Sequence, residues 1–409
     1  MDLSSPDTFE ATAEPGCPFH AQGADSRRTA PDRGARPGDV VPGEGDVWNV
    51  HGFAAARTIL RGDGTRQAGF KAEMLQKLRQ KGNSPILYLD GKVHHEQRRL
   101  TAPFFTPKTV SARYRPLMER LADKVIGEFR AKRKGELSSM GMEMAVGVAG
   151  EVVGLTDSLT RGMDKRLNAF FDGDFSPKTN IFSKVAEAVG TQWHVLLFTM
   201  LDVMPAIRKR RKQPKEDVIS HLIGQGYSAA DMLTECITYA AAGMVTTREF
   251  ITVCAWHMLE NPELAGRYRS ADEAGRNAIL EELLRLEPVV GTLFRRALED
   301  IDVGDTKIPA GALIAIDVRG ANSDPSIVGE APLDVRPDRC PASRAAPSVI
   351  SFGDGHHRCP GSFLALQETD IFLTRLLAVP GLKLDRPPNV TWNDLVTGYE
   401  LRNCIISCD

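Results

Sequence analysis

The sequence predicts a mainly α-helical chain with small β-sheets, folded as one large domain. Three observations carry this. Helical apolar periods dominate from about residue 52 onward. No Pro/Ser/Gly linker or internal repeat divides the 409 residues, although that length alone suggests two or three domains. One largely apolar helical pattern runs from Ser228 to Leu259, long enough to cross a whole domain. Composition is that of a globular chain, 42% apolar with 36 Gly and 25 Pro. The net charge of −2 supplies no broad positive field, which argues against nucleic acid and an electrostatic membrane anchor while leaving local basic patches open.

Residues 1–45 are rich in Pro, Gly, Ala, Asp and Arg without apolar period, and read as a flexible leader. Cys17 and His20 form its apolar knot, and two ligand types without a second pair make a weak metal site. No basic and apolar signal pattern opens the chain, and no apolar run reaches the roughly 20 residues of a bilayer crossing, so a reducing cytoplasm is expected. Seven scattered cysteines agree, because they form no disulfide framework. Val47–Val50 reads as a short strand and 52–61 as an amphipathic helix.

In the long pattern, Ser228 with Asp231 has the form of a capping box, and Asn261-Pro262 a stop. About 31 residues make a rod of roughly 46 Å. Its apolar residues surround the cylinder, which predicts a buried central helix. Gly243, Thr246 and Thr247 are poor helix formers placed mid-helix. Gly243 suits either a close helix crossing or a space kept open. The run Arg208-Lys209-Arg210-Arg211-Lys212 reads as a solvated loop.

Ser351-Phe352-Gly353-Asp354-Gly355-His356-His357-Arg358-Cys359-Pro360-Gly361 puts a thiol on a glycine-punctuated loop leading into the helical pattern 363–377. A helix N-terminus and the adjacent His357 and Arg358 favour thiolate, the metal-ligating form. A structural zinc site wants a Cys-x-x-Cys pair, which the chain lacks. A cysteine nucleophile with His356 or His357 as base is an alternative that adjacent loop residues rarely satisfy, and an inert buried cysteine leaves the glycines unexplained.

Phe352-x-x-Gly355-x-x-x-Cys359-x-Gly361 resembles the haem-binding loop of the cytochrome P450 superfamily. From the chain's own frequencies, accidental matches number on the order of 0.002. The resemblance extends over 46–409, the expected catalytic domain, and implies a haem-thiolate fold with a long central distal helix. It implies haem b with Cys359 as iron ligand, and a structural ion pair Glu282–Arg285 joined by Arg339, with Arg344 as the alternative. Propionate partners at His94, Arg98, Arg295 and His357 are also implied. Each one alone reads as an ordinary surface charge. By the same resemblance Gly243 leaves room for dioxygen, and Thr246 is the distal threonine that helps order a proton-delivering water.

Two departures from the pattern follow. Val245 stands where an acid usually precedes the threonine, leaving Glu249 as a substitute only if it faces the same side. Pro360, lacking an N–H, cannot donate to the Cys359 sulfur. The implied activity is monooxygenation, the insertion of one oxygen atom from dioxygen into a small, largely apolar molecule. The alternatives are peroxide-driven or non-hydroxylating haem-thiolate chemistry, and a haem sensor. A thiolate ligand favours O–O cleavage. No dinucleotide fingerprint or iron–sulfur cysteine set is fused, so a separate ferredoxin-type donor with its reductase is implied. By the same resemblance, Lys71–Leu87, Phe170–Met200, Ala240–Thr246, Val289–Phe294 and Thr397–Glu400 are expected to line the substrate pocket.

Overall fold

The computed structural model describes residues 26–29, 38–69, 84–171, 193–342, 344–393 and 397–409. Cys17, His20, most of Lys71–Leu87 and residues 172–192 lie outside the described residues. The expected class holds, a mostly helical single domain with small sheets.

The helices are α1 (Phe53–Arg61), α2 (Gly91–Thr101), α3 (Arg115–Lys132), α4 (Leu137–Val153), α5 (Met163–Phe171), α6 (Met204–Lys212), α7 (Val218–Gly224), α8 (Ala229–Tyr239), α9 (Thr246–Glu260), α10 (Pro262–Ser270), α11 (Glu273–Leu286), α12 (Val318–Asn322), α13 (Pro325–Val328) and α14 (Ser362–Leu376). The strands are β1 (Val40–Pro42), β2 (Val47–Val50), β3 (Thr65–Ala68), β4 (Lys134–Glu136), β5 (Thr292–Ala297), β6 (Ile301–Val303), β7 (Thr306–Ile308), β8 (Leu313–Asp317), β9 (Lys383–Arg386), β10 (Asn389–Asn393), β11 (Gly398–Arg402) and β12 (Ile405–Ser407).

The largest sheet has the order β1-β2-β8-β5-β3, parallel only between β2 and β8. Its register sets Gln67 of β3 opposite Arg295 of β5, which matters at the site. β1 lies inside the segment expected as a leader, and Val40 pairs with Val50. Farther upstream, Thr29 is buried against Glu287: its hydroxyl donates to that carboxylate, as does the Arg28 N–H. Pro- and Gly-rich composition hides such contacts, because they are made by backbone and single side chains rather than an apolar stripe.

α4 is buried almost all round and packs against α9, so two apolar helices form the middle of the molecule. One core joins α3, α9, α11 and α14, with Met118, Val253, Leu283 and Phe372 fully buried. A second joins α4, α6, α7 and α8 to Met244 and Val245.

The long helix is not the unbroken α-rod expected. Its capping box is present, with Ser228 and Asp231 bonding reciprocally, and Asn261 ends α9 by capping α10. Between α8 and α9, however, Ala240–Val245 opens into a π turn. The wider turn follows from composition: Gly243 adds no side chain, and the Thr246 hydroxyl donates to the Ala242 carbonyl at 2.7 Å. The basic run 208–212 is likewise helical, as the end of α6. Its central Arg210 turns inward to Asp217 and Asp157, and the other four residues stay exposed.

Candidate active site around Cys359

The cysteine loop is closed by its own backbone. The Cys359 N–H donates to the Phe352 carbonyl at 2.8 Å, and Gly353 N–H to the Ile350 carbonyl at 2.8 Å. Gly355 has φ +64°, and a Cβ there would lie 2.2 Å from the Leu60 carbonyl at the end of α1, so no side chain fits. Asp354 anchors the turn, accepting from Arg61 at 2.9 and 3.1 Å and from the Gly355 N–H at 2.7 Å. Gly361 caps α14, and a Cβ on it would meet Sγ at 3.9 Å, an ordinary contact.

Cys359 keeps part of its surface open and is crowded on its other sides. Burial pushes its thiol up, while the Gly361 N–H and the Arg98 and Arg358 guanidiniums work the other way. His357, expected to favour the thiolate, is engaged elsewhere.

His94, Arg98, Arg295 and His357 come together from α2, β5 and the cysteine loop. The His94 and His357 rings stack with centroids 4.0 Å apart and planes at 15°. His357 Nε2 faces Asp90 Oδ1 at 3.3 Å, and Arg98 donates to the Arg358 carbonyl. Arg295 is buried and donates to the Gln67 side-chain oxygen across the β3–β5 register. Burial, with His357 and Arg98 adding repulsion, pushes His94 down to about 3; burial also holds His357 low and Arg295 down to about 10. Burial works to raise Asp90, but His357, the Gln67 N–H and Arg295 hold its carboxyl below the usual range. Asp90 and Gln67 were not singled out from sequence, where each is one polar residue at an element end.

This set fits a dianionic haem edge. Among the described residues the buried His94 Nδ1 has no hydrogen-bond partner. The only carboxylate among the described residues that figures in both the His357 and Arg295 balances is Asp90. Two guanidiniums and two imidazoles around one carboxylate leave donors for two propionates.

Behind the loop, Arg285 meets Glu282 at 2.7 and 2.8 Å, and Arg339 Nε reaches Glu282 Oε1 at 3.4 Å. Arg344 is exposed with φ +53°. Arg339 also binds the Glu330, Ala331 and Asp334 carbonyls, tying down the segment before the cysteine loop. Asn322 and Ser351 were missed in the sequence. Asn322 Nδ2 donates to the Arg285 carbonyl at 3.0 Å and to Ser351 Oγ at 2.7 Å, its Oδ1 accepts from Ile350 N–H at 3.0 Å, and Ser351 donates to the Leu284 carbonyl at 2.9 Å. They link α11 to the thiol loop; their only sequence signal is a polar turn composition.

On the long helix, Gly243 is not needed for a close crossing. Among the described residues, a Cβ there would find only Ala149 Cβ at 3.9 Å. Val245 is fully buried in the second core. Glu249 does not serve beside Thr246: its carboxylate accepts from Leu401 N–H at 2.8 Å, Arg402 at 2.7 Å and Arg248 at 2.8 Å. Two expected pocket segments adjoin, since Gly291 N–H donates to the Thr397 carbonyl at 2.9 Å and Thr397 Oγ1 to the Thr292 carbonyl at 2.8 Å. Trp193, Leu196 and Met200, in the segment expected to line the pocket, are exposed.

The chain has the architecture of a haem-thiolate oxidoreductase. A family model described as Cytochrome P450 matches residues 276–387. The biotin biosynthesis cytochrome P450 of Bacillus subtilis is 28% identical over 353 residues, 82% of this chain and 84% of the relative. Cyclomarin C epoxidase CymV of Salinispora arenicola is 28% identical over 294 residues, 70% of each chain. The crystal structure of P450BioI in complex with hexadec-9Z-enoic acid ligated acyl carrier protein superposes with TM-score 0.74 at 24% identity, covering 91% of this chain and 95% of that one. In sequence and fold the chain is similar to bacterial cytochrome P450s over most of its length, and it is a monooxygenase-type oxidoreductase. Its cofactor is haem, which the family holds through a cysteine thiolate. No described helix is long and apolar enough to cross a membrane.

Proposed function

We propose that residues 46–409 form the catalytic domain, in which Cys359 ligates haem iron and Thr246 orders a proton-delivering water for oxygen insertion into a small, largely apolar molecule. The observation that carries this is half-buried Cys359 on a backbone-closed loop beside the converging His94, Arg98, Arg295 and His357. Haem bound there supplies oxygen activation, aided by the electron-rich thiolate. The protein's part is to hold and exclude. Gly355 and Asp354 fix the loop, the Gly361 N–H and Arg98 hold charge on Sγ, and the Arg98 and Arg295 guanidiniums with the His94 and His357 imidazoles would orient the haem rim. Glu282, Arg285 and Arg339 brace the loop from behind. The Thr246 proton is committed to the Ala242 carbonyl, so its lone pairs are left to accept from a water. Pro360 leaves the sulfur without one donor. The nearby electron donor is a ferredoxin-type protein reduced by its own reductase, and the working compartment is the cytoplasm.

A carbon monoxide difference spectrum of the reduced protein tests the ligand: the thiolate spectrum appears in the parent and is lost in Cys359→Ser, and its persistence in that variant refutes the assignment.

Buried Val245 and occupied Glu249 favour a second reading, in which turnover uses peroxide or a proton from the substrate. Product formation with reduced ferredoxin and dioxygen, compared with hydrogen peroxide alone, separates the two. If Thr246→Ala with dioxygen equals the parent in rate and coupling, the water-ordering role of Thr246 is wrong.

A further inference from the structure

The outer side of α6 and the helical turns before it combines apolar and basic surface in a way the proposed chemistry does not use. Leu159, Trp193, Leu196 and Met200 are 66%, 57%, 49% and 52% exposed. They form half of the large exposed apolar side chains among the described residues. The Leu159 N–H donates to the Leu201 carbonyl at 2.8 Å, so Leu159 lies beside the turn that carries Met200. Residues 193–198 are helical and lead through the π turn Thr199–Val203 into α6. Beyond Met200 come the exposed Arg208, Lys209, Arg211, Lys212 and Lys215.

These five cations keep their charge for a partner. The neighbouring acids are already taken: Asp217 and Asp157 by the inward Arg210, and Glu216 by Arg113 at 3.5 Å. Among the described residues, none of the five forms an ion pair. In a chain of net charge −2, five uncompensated positive groups on one helix end and its following turn make a local field that calls for an acidic surface.

The patch also has a defined side. Val203, Ala206 and Ile207 share a core with Ala240, Met244 and Val245, so α6 lies over the distal segment. The cysteine loop instead joins the other core through Phe352 and Leu364. A partner on α6 therefore sits on the side where substrate is handled, leaving the thiolate side to the electron donor. Exposed Trp, Leu and Met next to the cations suit a folded protein surface better than a free anion, because only a macromolecule covers both.

We propose that this face docks an acidic carrier protein that presents the substrate as a thioester on a flexible arm. The inference rests on the monooxygenase reading above and supplies the form in which substrate arrives. The carrier stays outside on the basic and apolar stripe, and its arm reaches past the distal helix.

The test uses the full haem-loaded protein and an acyl carrier protein carrying a hexadecanoyl chain on its phosphopantetheine thiol, with binding followed by calorimetry. The expected result is binding that weakens strongly with added salt. The combined variant R208E/K209E/R211E/K212E should weaken it about tenfold or more. The same variant should keep the thiolate carbon monoxide spectrum and its spectral response to free hexadecanoate. Those readouts report on folding and on the haem reading independently of docking. Absence of carrier binding overturns the proposal, as does binding indifferent to the charge reversal. So does a result in which ferredoxin or anionic phosphatidylglycerol vesicles, and not the carrier, depend on these four residues.

Discussion

Around Cys359 nearly every loop residue is fixed by a named neighbour. Gly355 abuts the Leu60 carbonyl, Asp354 holds Arg61, Phe352 closes on the Cys359 N–H, and Asn322 with Ser351 ties the loop to α11. Around Thr246 the opposite holds. The π turn Ala240–Val245 gives up regular helical bonding, Gly243 faces only Ala149 at 3.9 Å among the described residues, and Ala242 is exposed. The first region is built by filling space and the second by leaving it. The difference teaches where a motif is enforced: on the thiolate side by the fold itself, on the distal side by chemistry that the fold alone does not demand.

The largest expected effect breaks the first region. In Gly355→Ala the new Cβ meets the Leu60 carbonyl at 2.2 Å with φ +64°, and the obstructing atoms are backbone rather than the end of a flexible side chain. The variant is expected to lose more than about 5 kcal/mol of stability and to fail to retain haem, read by denaturant unfolding and by haem content. A Gly355→Ala protein of parental stability removes the distinction between the two regions.

Next comes the brace behind the loop. Glu282 is 3% exposed and accepts from Arg285, Arg339 and the Arg336 N–H. Glu282→Gln strands two buried guanidiniums, at a cost of about 3 to 5 kcal/mol. Arg344→Gln, at an exposed position, should cost less than about 0.5 kcal/mol, and an equal loss from the two would reopen the choice between Arg339 and Arg344.

A pH effect sharpens the picture of the thiolate side, because one group there is not well satisfied. Glu368 on α14 is 2% exposed, its Oε1 lacks a partner among the described residues, and burial raises its carboxyl from 4.5 to about 8. The folded protein then holds a proton that the unfolded chain releases, so folding takes up a proton between those values. The Glu368 contribution is complete below about pH 4.5 and is lost as pH rises toward 8. Glu368→Gln, which cannot ionise, should gain about 3 to 4 kcal/mol over the parent on going from pH 5 to pH 8. Parallel stability curves for the two proteins rule out the raised carboxyl.

How much of this was legible in the sequence follows the same division. The thiolate loop could be named from its own residues and spacing, and Glu282–Arg285 and the propionate set only through the family resemblance that this loop carries, because taken singly each reads as an ordinary surface charge. Asn322, Ser351, Asp90 and Gln67 were not visible, since each acts through a tertiary contact with a segment distant in sequence. Thr29 on Glu287 and β1 were hidden in Pro- and Gly-rich composition. The π turn was masked by an apolar pattern that suits an α-helix equally well, with Gly243 and the threonines its only signs. Glu249 shows the limit of helical spacing as an argument: three residues from Thr246, it is drawn to Leu401 and Arg402 instead.

The smallest stability effect is the most telling for the distal side. If Gly243 were present to let α4 approach, Gly243→Ala would be destabilising; with Ala149 at 3.9 Å the methyl is accommodated. Alanine is also the better helix former by up to about 1 kcal/mol, although the π turn weakens that gain. Unfolding free energy should therefore change by less than about 1 kcal/mol in either direction. On the proposed function the methyl would instead narrow the space kept open over the haem, so carbon monoxide and imidazole should bind the haem-loaded variant several-fold more weakly. Stability and ligand affinity would then separate at Gly243, where at Gly355 they fall together. A Gly243→Ala protein that loses stability while keeping parental affinity for both ligands would make this glycine a packing residue after all.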